Sequence, residues 1–256
     1  MEPRLNWSLR VPYTGEMNEP VHFPVLPPRA GKAVRLRVSK DANAVSTASV
    51  PTRTNDPART MAGILIVATK EFAEKGLSGA RIDEIAAATK TSKRMIYYYF
   101  GNKEGLYVAV LEEAYRRMRT IEADLHLDDL KPEDALRKLV GFTFDHHHGN
   151  PDFIRLVMSE NMQRGEYLAQ SKLIQKLNTS VIDSVRKLYE RGVAEGVFRP
   201  QLDPVDIHAS ISALTFFNVS NQHTFDLIFK RNSHAAQALA VRRTNIIEML
   251  VRFVSK

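Results

Sequence analysis

Apolar residues recur at helical spacing along most of the chain that follows residue 57. In the first such stretch the apolar positions are Met61, Ile64, Leu65, Ala68 and Phe72. Intervals of three and four residues place these side chains on one helical face and predict an amphipathic helix. We expect it to run from Pro57, a favoured first residue, to about Lys75, where Gly76 is a suitable stop.

Two short helices joined by a tight turn are predicted next. The first carries the apolar stripe Ile82, Ile85 and Ala86 at intervals of three and four residues. The second is predicted to begin after Ser92, because a serine hydroxyl can accept from an orphan backbone N–H one turn further on. Ile96 gives this second helix an inward apolar face. The pair is typical of a helix-turn-helix.

The outer side of the second short helix carries cations and phenols. Lys93 and Arg94 fall in its first turn, where a cation is unfavourable by roughly 0.3–1 kcal/mol, so an external polyanion would give them a reason to be there. Tyr97, Tyr98 and Tyr99 span an arc of about 200°, so at least one phenol faces outward. The alternative is an ordinary amphipathic helix with a polar face and a few surface tyrosines.

The rest of the chain is also predicted to be helical, and no strand pattern of period two is present. The predicted helices run at about Lys103–His126, from Pro132 onward with Phe144 on the helix, Pro151–Gln163, Tyr167–Glu195, from Val205 to Asn221 or beyond, and His234–Val254. The sequence therefore predicts an all-α protein, with an N-terminal three-helix domain followed by a larger helical domain.

Composition narrows the classes of function. No apolar run approaches the ~20 residues that cross a bilayer, and no secretion signal opens the chain, so we expect a cytoplasmic protein without membrane contact. The 256 residues include no cysteine, which excludes disulfides and thiol chemistry. Glycine-rich phosphate loops, nucleophile elbows and HExxH motifs are absent, so no enzyme chemistry and no cofactor are predicted.

The net charge of +7 is unevenly distributed. Residues 1–57 hold eight basic and five acidic side chains, residues 58–103 hold eight and four, and residues 104–256 hold twenty of each. All the excess positive charge therefore lies in the first 103 residues, which favours a nucleic-acid partner for that part.

Residues 1–57 contain eight of the twelve prolines and no sustained periodicity, which predicts a mostly disordered basic tail. Its basic cluster is Arg29, Lys32, Arg35, Arg37 and Lys40. One interpretation is a solvated tail, or sequence upstream of the true start codon. The other is an arm that follows the DNA backbone or minor groove.

Three blocks within about residues 59–107 resemble the DNA-binding domain of the TetR family of bacterial transcriptional regulators. They are ILIVATKEFAEKGLSGARIDEIA, TSKRMIYYYF and NKEGLY. The chain departs from the family pattern in having Ala80 and Arg81 where Thr or Ser often caps the second helix. It also has Lys90 where the turn often has Gly, so Lys90 must adopt a conformation that glycine accepts more easily.

The resemblance implies that the second short helix is a recognition helix for the DNA major groove. Lys93, Arg94, Met95 and Tyr97 are then expected at base edges, although Tyr97 can equally be partly core. Tyr98, Tyr99 and Lys103 are expected at phosphates, and Arg81 can replace the missing hydroxyl contact. The implied domains are 58–105 for DNA binding and 106–256 for ligand sensing and dimerisation.

The resemblance further implies a homodimer through the last two helices and a ligand pocket among helices five to eight. Candidate ligand contacts are Phe142, Phe153, Met158, Asn161, Met162, Phe216, Phe217 and His223. Each of the apolar candidates can instead be plain core, and the dimer faces can simply close the monomer. Such mostly apolar walls suit a hydrophobic or aromatic small molecule.

Three consecutive histidines, His146 to His148, suggest a metal at first sight. Successive helical residues diverge by about 100°, so at most two could reach one ion. A polar cluster at a helix end is the favoured interpretation, and no metal is predicted.

Together these features predict a dimeric repressor that binds a palindromic operator and is released by a small-molecule effector. An activator of the same family is the alternative, because the sign of regulation depends on where the operator lies. An all-helical small-molecule-binding enzyme is a more distant alternative.

Overall fold

The computed structural model describes residues 56–256, so the predicted tail lies, apart from its last two residues, outside the described part. The described residues form ten α-helices and no strand; Phe198 and Ser255 make an isolated bridge. The helices are α1 Pro57–Gly79, α2 Ile82–Thr89, α3 Lys93–Phe100, α4 Lys103–Ala123, α5 Pro132–Gly149, α6 Pro151–Met162, α7 Lys172–Ala194, α8 Pro204–Ser220, α9 Gln222–Phe229 and α10 Ala236–Val254. The all-α prediction is confirmed.

The first helix begins and breaks where its sequence signals predicted. The Asp56 carboxylate accepts from the backbone N–H groups of Ala58 at 3.0 Å and Arg59 at 3.3 Å, and Pro57 occupies the first turn. Gly76 has φ 66° and ψ 177°, which interrupts the helix one turn before its last residue, Gly79. A backbone with this φ suits glycine because it has no Cβ.

Helices α1 to α4 pack around one apolar core, which extends into later helices. Fully buried members include Ile64, Phe72, Ile96, Leu106 and Tyr107. The rings of Phe72 and Tyr107 meet edge to face with centroids 5.1 Å apart. Leu156 of α6 and Ile174 of α7 belong to the same cluster. The first four helices are therefore joined to the rest of the described chain through buried apolar contacts.

A second core lies among α5, α7, α8 and α10. Its buried members include Leu136, Val185, Ile207, Ile246 and Leu250. Gly192 of α7 lies so close to Phe198 that a Cβ there would be 2.0 Å from a ring carbon. The close packing of this aromatic ring therefore requires glycine at position 192.

Three helix boundaries differ from the sequence prediction. Helix α4 ends at Ala123, three residues early, and His126 adopts a left-handed backbone with φ 49°. Helix α7 begins at Lys172 rather than Tyr167, because a 3₁₀ turn at Leu168–Gln170 precedes the cap that Ser171 gives to the N–H of Ile174.

The third difference is a separate helix, α9, between the two long helices that end the chain. The sequence predicted one helix to Asn221 or beyond, and then a second one. Instead α8 ends at Ser220, and α9 ends at Phe229, just before Lys230, which has a left-handed backbone with φ 49°. None of the helices in the described range is long and apolar enough to span a membrane.

Candidate nucleic-acid interface

The helix-turn-helix is built on a left-handed residue between α2 and α3. Lys90 has φ 53° and ψ 34°, and the N–H of Thr91 donates to the carbonyl oxygen of Ala86 at 3.0 Å. The hydroxyl of Ser92 then accepts from the N–H of Met95 at 3.2 Å and caps α3. The predicted turn conformation of Lys90 and the Ser92 cap are therefore both found in the structure.

Helix α3 has one inward and one outward face. Ile96 is fully buried, and Tyr99 and Phe100 pack partly against the same core. On the other side Tyr97 is 44% exposed and Tyr98 is 78% exposed, and Arg94 is also exposed. Tyr97 does not belong to the buried core cluster, although more than half of its surface is covered.

Lys93 has an ionic partner among the described residues and Arg94 does not, which corrects the expectation that the fold supplies no partner for either cation. The Lys93 ammonium forms an exposed ion pair with Asp83 of α2. The fold therefore does supply a partner for one cation in the first turn, contrary to the expectation from sequence. Arg94 has no hydrogen-bonding or ionic partner within residues 56–256.

The start of α4 is held against the end of α1. Lys103 Nζ donates to the carbonyl oxygen of Ser78 at 3.2 Å, and Asn102 caps α4 by accepting from the N–H of Gly105 at 2.6 Å. A Cβ at Gly105 would lie 2.1 Å from the carbonyl oxygen of Phe100, so only glycine lets α3 and α4 meet this closely. Lys103 is thereby positioned beside the C-terminal end of α3.

Side chains also hold the turn that precedes α2. Glu71 accepts from the backbone N–H of Arg81 at 3.0 Å and from Lys75 Nζ at 2.9 Å. Lys75 also binds Glu84, and this hydrogen bond holds the pKa of the Glu84 carboxyl below its ordinary value. The Arg81 side chain is exposed and makes no cap of its own for α2.

The structure places all eight candidate DNA contacts on a short stretch of the fold, at the start of α2, along α3 and at the start of α4. Arg81, Lys93 and Arg94 are exposed, together with Tyr97 and Tyr98. Met95, Tyr99 and Lys103 are half-buried. Cations and phenol groups at a helix face of this kind suit phosphate and base contacts.

Only part of the predicted ligand set comes together. Phe153, Met158 and Phe216 pack in one cluster between α4, α6 and α8. Phe142 lies next to this cluster, since its ring centroid is 5.7 Å from that of His146, which in turn is 5.9 Å from that of Phe153.

The other four candidates lie elsewhere. Asn161 and Met162 are exposed at the C-terminal end of α6, and Met162 is 79% exposed. Phe217 lies on the outer side of α8, and His223 is exposed at the start of α9. The sequence pattern did not separate these positions, because apolar spacing does not show where α6 ends or which face of α8 is covered.

Sequence reasoning also missed a buried polar centre on α5. His146 and His147 are buried, and Nδ1 of His147 lies 3.0 Å from the hydroxyl oxygen of Thr215. Burial lowers the pKa of each imidazole to about 4, so both are neutral. Their spacing from Leu139 and Thr143 continues the buried face of α5, which is the signal that could have identified them.

Two sizeable cavities border α4 and α5. One of about 680 Å³ lies between α4, α5 and α7 and is lined by Arg119 and by several carboxylates, including Glu122 and Asp128. Another of about 820 Å³ lies between α1, α4 and the junction of α5 with α6, where it reaches His146 and Phe153.

Helices α8 and α10 each present an outer face with apolar or small residues. On α8 the exposed residues recur every four positions, at Val205, Ala209, Ala213 and Phe217. On α10 the exposed apolar side chains include Val241 and Met249. Small residues at such a spacing permit close approach of another helix.

Comparison with known families assigns both halves of the described chain. Residues 64–110 match the family of bacterial regulatory proteins named after tetR. Residues 132–250 match a tetracyclin repressor-like C-terminal domain.

Individual relatives agree with these matches. The transcriptional repressor NicS of Pseudomonas putida is 34% identical over 208 residues, which cover 81% of this chain and 98% of NicS. The repressor SCO4008 of Streptomyces coelicolor is 35% identical over 139 residues, covering 54% of this chain and 69% of that protein. The crystal structure of SCO4942, a proposed regulator from the same organism, covers 76% of this chain and 98% of its own, with a TM-score of 0.59 and 27% identity.

Proposed function

This chain belongs to the TetR family and is a DNA-binding transcriptional regulator; from this premise we propose that it is a homodimeric repressor released from its operator by a small hydrophobic or aromatic ligand. The observation that carries the proposal is the outward face of α3, where Arg94, Tyr97 and Tyr98 are exposed. Repression rather than activation is supported by NicS and SCO4008, which are both named repressors.

Base recognition is assigned to the N-terminal half of α3. Arg94 is exposed and has no partner within the described residues, so its guanidinium can pair with the two acceptors of a guanine edge. Met95 and Tyr97 can contact a thymine methyl, and Lys93 can reach a base edge once it leaves Asp83.

Phosphate contacts are assigned to the residues around this helix. Lys103 and Arg81 flank α3 from the starts of α4 and α2, and Tyr98 and Tyr99 follow the base-reading residues. Such contacts fix the orientation of a recognition helix without reading the sequence. The DNA-binding part then corresponds to residues 58–105.

Dimerisation is assigned to α8 and α10, the long helices whose outer faces carry small and apolar residues. The last two helices that the sequence predicts for dimerisation correspond to α8 and α10, and α9 lies between them in the chain. A two-fold dimer would present two copies of α3 to half-sites about 34 Å apart, or a multiple of that.

Release by ligand is assigned to the helical part from residue 106 onward. Phe142, Phe153 and Phe216 lie next to the buried histidines, and Met158 packs in the same cluster as Phe153. Helix α4 also belongs to the core of the DNA-binding part through Leu106 and Tyr107. A ligand that moves α4 can therefore change the spacing of the two α3 helices, and a coupling of about 1–3 kcal/mol is sufficient.

The proposal is tested by selecting DNA from random duplexes with the full-length protein, followed by fluorescence anisotropy on the selected sequence at several salt concentrations. We expect an inverted repeat and a steep fall of affinity with salt, because each neutralised phosphate adds to the slope. Exchanging both Lys93 and Arg94 for Ala should abolish enrichment.

Either of two results would contradict the proposed function. Enrichment of a single half-site with one protomer bound would exclude the dimer. Enrichment that survives loss of Lys93 and Arg94 would exclude α3 as the recognition helix.

A further inference from the structure

A third cavity, of about 350 Å³, lies where α8, α9 and α10 meet. None of its described lining residues belongs to the cluster of Phe153 and Phe216. Its walls come from the end of α8, the helix α9, residues 231–234 and the first half of α10. One residue of α5, His148, also reaches it. Its volume is within the range of cavities that hold small organic molecules.

Aromatic side chains form one wall of this cavity. The rings of Phe217 and Phe225 meet edge to face with centroids 5.9 Å apart, and Leu239 of α10 also lines the cavity. The ring of Phe225 also packs against the ring of Phe229, with centroids 4.6 Å apart. A flat apolar group is the natural occupant of such a wall.

Two cations also line this cavity. Arg231 and Arg242 line the cavity, and neither has a carboxylate partner within residues 56–256. Nε of Arg242 donates to the side-chain oxygen of Asn218 at 2.8 Å, which leaves its two terminal nitrogens for another acceptor. That hydrogen bond also fixes the guanidinium between α8 and α10.

Asp226, the acidic residue of α9, is not among the described residues that line the cavity. The carboxylate of Asp226 accepts from the N–H of Ser233, at 3.1 Å and 3.2 Å, and from its hydroxyl at 2.9 Å. Among the described residues that line the cavity there is no Asp or Glu, whereas His148 and His234 are present with ring centroids 5.7 Å apart. The 680 Å³ cavity differs in that its arginine, Arg119, is paired with a carboxylate, that of Glu122.

We propose that this cavity binds a small organic carboxylate with an aromatic body. Arg242 holds the carboxylate through its two free terminal nitrogens, in the bidentate geometry that guanidinium groups favour. Phe217 and Phe225 contact the aromatic body. Assigning this ligand as the releasing effector rests on the proposed function, whereas binding itself does not.

Binding is tested by calorimetry on the full-length protein without DNA. The probes are benzoate, trans-cinnamate and indole-3-acetate, each compared with its own primary amide, which keeps the ring and removes the charge. We expect at least one carboxylate to bind with at least tenfold preference over its amide. We also expect Arg242→Gln to weaken that carboxylate at least tenfold, which corresponds to about 1.4 kcal/mol.

Two further variants separate the site from general effects. Arg252→Gln on the same helix removes a cation that is 82% exposed and outside the cavity, and it should leave carboxylate binding unchanged. Phe225→Ala should weaken carboxylate and amide alike. Circular dichroism of each variant checks that the helices remain folded.

The proposal is overturned if no carboxylate binds, if the amide binds equally well, or if Arg242→Gln binds the carboxylate as tightly as the wild type. Anisotropy on operator DNA gives a separate readout for the effector role. A carboxylate that binds through Arg242 but leaves operator affinity unchanged would establish the site and exclude this ligand as the effector. Release by the carboxylate that persists in Arg242→Gln would place the effector site elsewhere and overturn the effector role of this cavity.

Discussion

Two adjacent cations at the start of α3 illustrate how much a single contact changes a residue's role. Lys93 is paired with Asp83, whereas Arg94 is exposed and has no partner within the described chain. An ammonium that must leave one anion to reach another gains less from binding DNA than a guanidinium that starts in water. We therefore expect the two residues to respond differently to mutation.

Arg94→Ala should relax the preference for one base at one operator position, at a cost of about 1–3 kcal/mol for the correct base. The measurement is anisotropy on operators carrying each of the four bases at every position. Arg116→Ala is the control, because Arg116 is an exposed cation of α4 paired with Glu113. Unchanged base preferences in Arg94→Ala would show that this residue does not read sequence.

Asp83→Asn should raise affinity for DNA and steepen its salt dependence by up to about one unit, because Lys93 is then free for a phosphate. Thermal stability should change little, since both side chains of this pair are about half exposed, at 56% and 48%. In the double variant with Lys93→Ala the gain should disappear. A gain that persists without Lys93 would mean that removal of negative charge alone is responsible.

The buried histidines predict a loss of stability in acid. The pKa of His146 and of His147 is about 4 in the folded protein, against an ordinary 6.5, because burial disfavours the charged form. The unfolded chain therefore takes up protons first as the pH falls below about 6.5. The free energy of unfolding should drop by up to roughly 1.4 kcal/mol per pH unit for each imidazole, until about pH 4.

Urea unfolding between pH 7.5 and 4.5 measures this slope. His146→Phe should make it shallower, because Nδ1 of His146 has no partner to lose and Phe142 and Phe153 are its aromatic neighbours. His223→Gln changes an exposed histidine and should leave the slope as it is. An equal slope in wild type and His146→Phe would show that His146 titrates normally.

Among the elements, α7 depends on the absence of a side chain at Gly192. Gly192→Ala would place a Cβ 2.0 Å from a ring carbon of Phe198, so the ring or the helix must move. Overpacking of this kind should lower the free energy of unfolding by about 1–3 kcal/mol, as measured by urea titration. Gly63→Ala in α1 is the matched control, because nothing lies within 4 Å of its Cβ and stability should rise slightly.

Helix α9 shows what local pattern leaves undecided. Leu227, Ile228 and Phe229 form an apolar run, and from sequence it extends α8. In the structure these three side chains are 80%, 70% and 58% exposed, while Phe225 turns inward. Apolar spacing alone could not locate this break, because no proline or glycine lies between Val205 and Ala235 to mark it.

For the whole molecule, the outer face of α8 should decide the oligomeric state. Ala213→Arg puts a long cation into the row formed with Ala209 and Phe217, so a dimer built on this face should dissociate. Sedimentation velocity should then show a monomer. Ala194→Arg makes the same change at an exposed position of α7 and should leave the dimer intact. A dimer in both variants would place the interface elsewhere.

Much of the fold followed from sequence because local signals agree there. Asp56 and Pro57 start α1, Ser92 caps α3, and the apolar spacing of α2 and α3 leaves one arrangement for the helix-turn-helix. The candidate ligand contacts were less predictable. Phe153, Met158 and Phe216 come together, but Asn161 and Met162 do not, since apolar residues at a helix end look the same whether or not another helix covers them.

By itself, the sequence determined every helix of the described part except α9, the concentration of positive charge in the first 103 residues, and the family. These depend on caps, periodicity and residue chemistry, which are local properties. Only the tertiary structure decided that Lys93 is paired with Asp83, that His146 and His147 are buried and neutral, and that Arg242 lies at a cavity without a carboxylate among its described lining residues. Each of these depends on side chains from separate helices, and no spacing along the chain fixes how such helices pack.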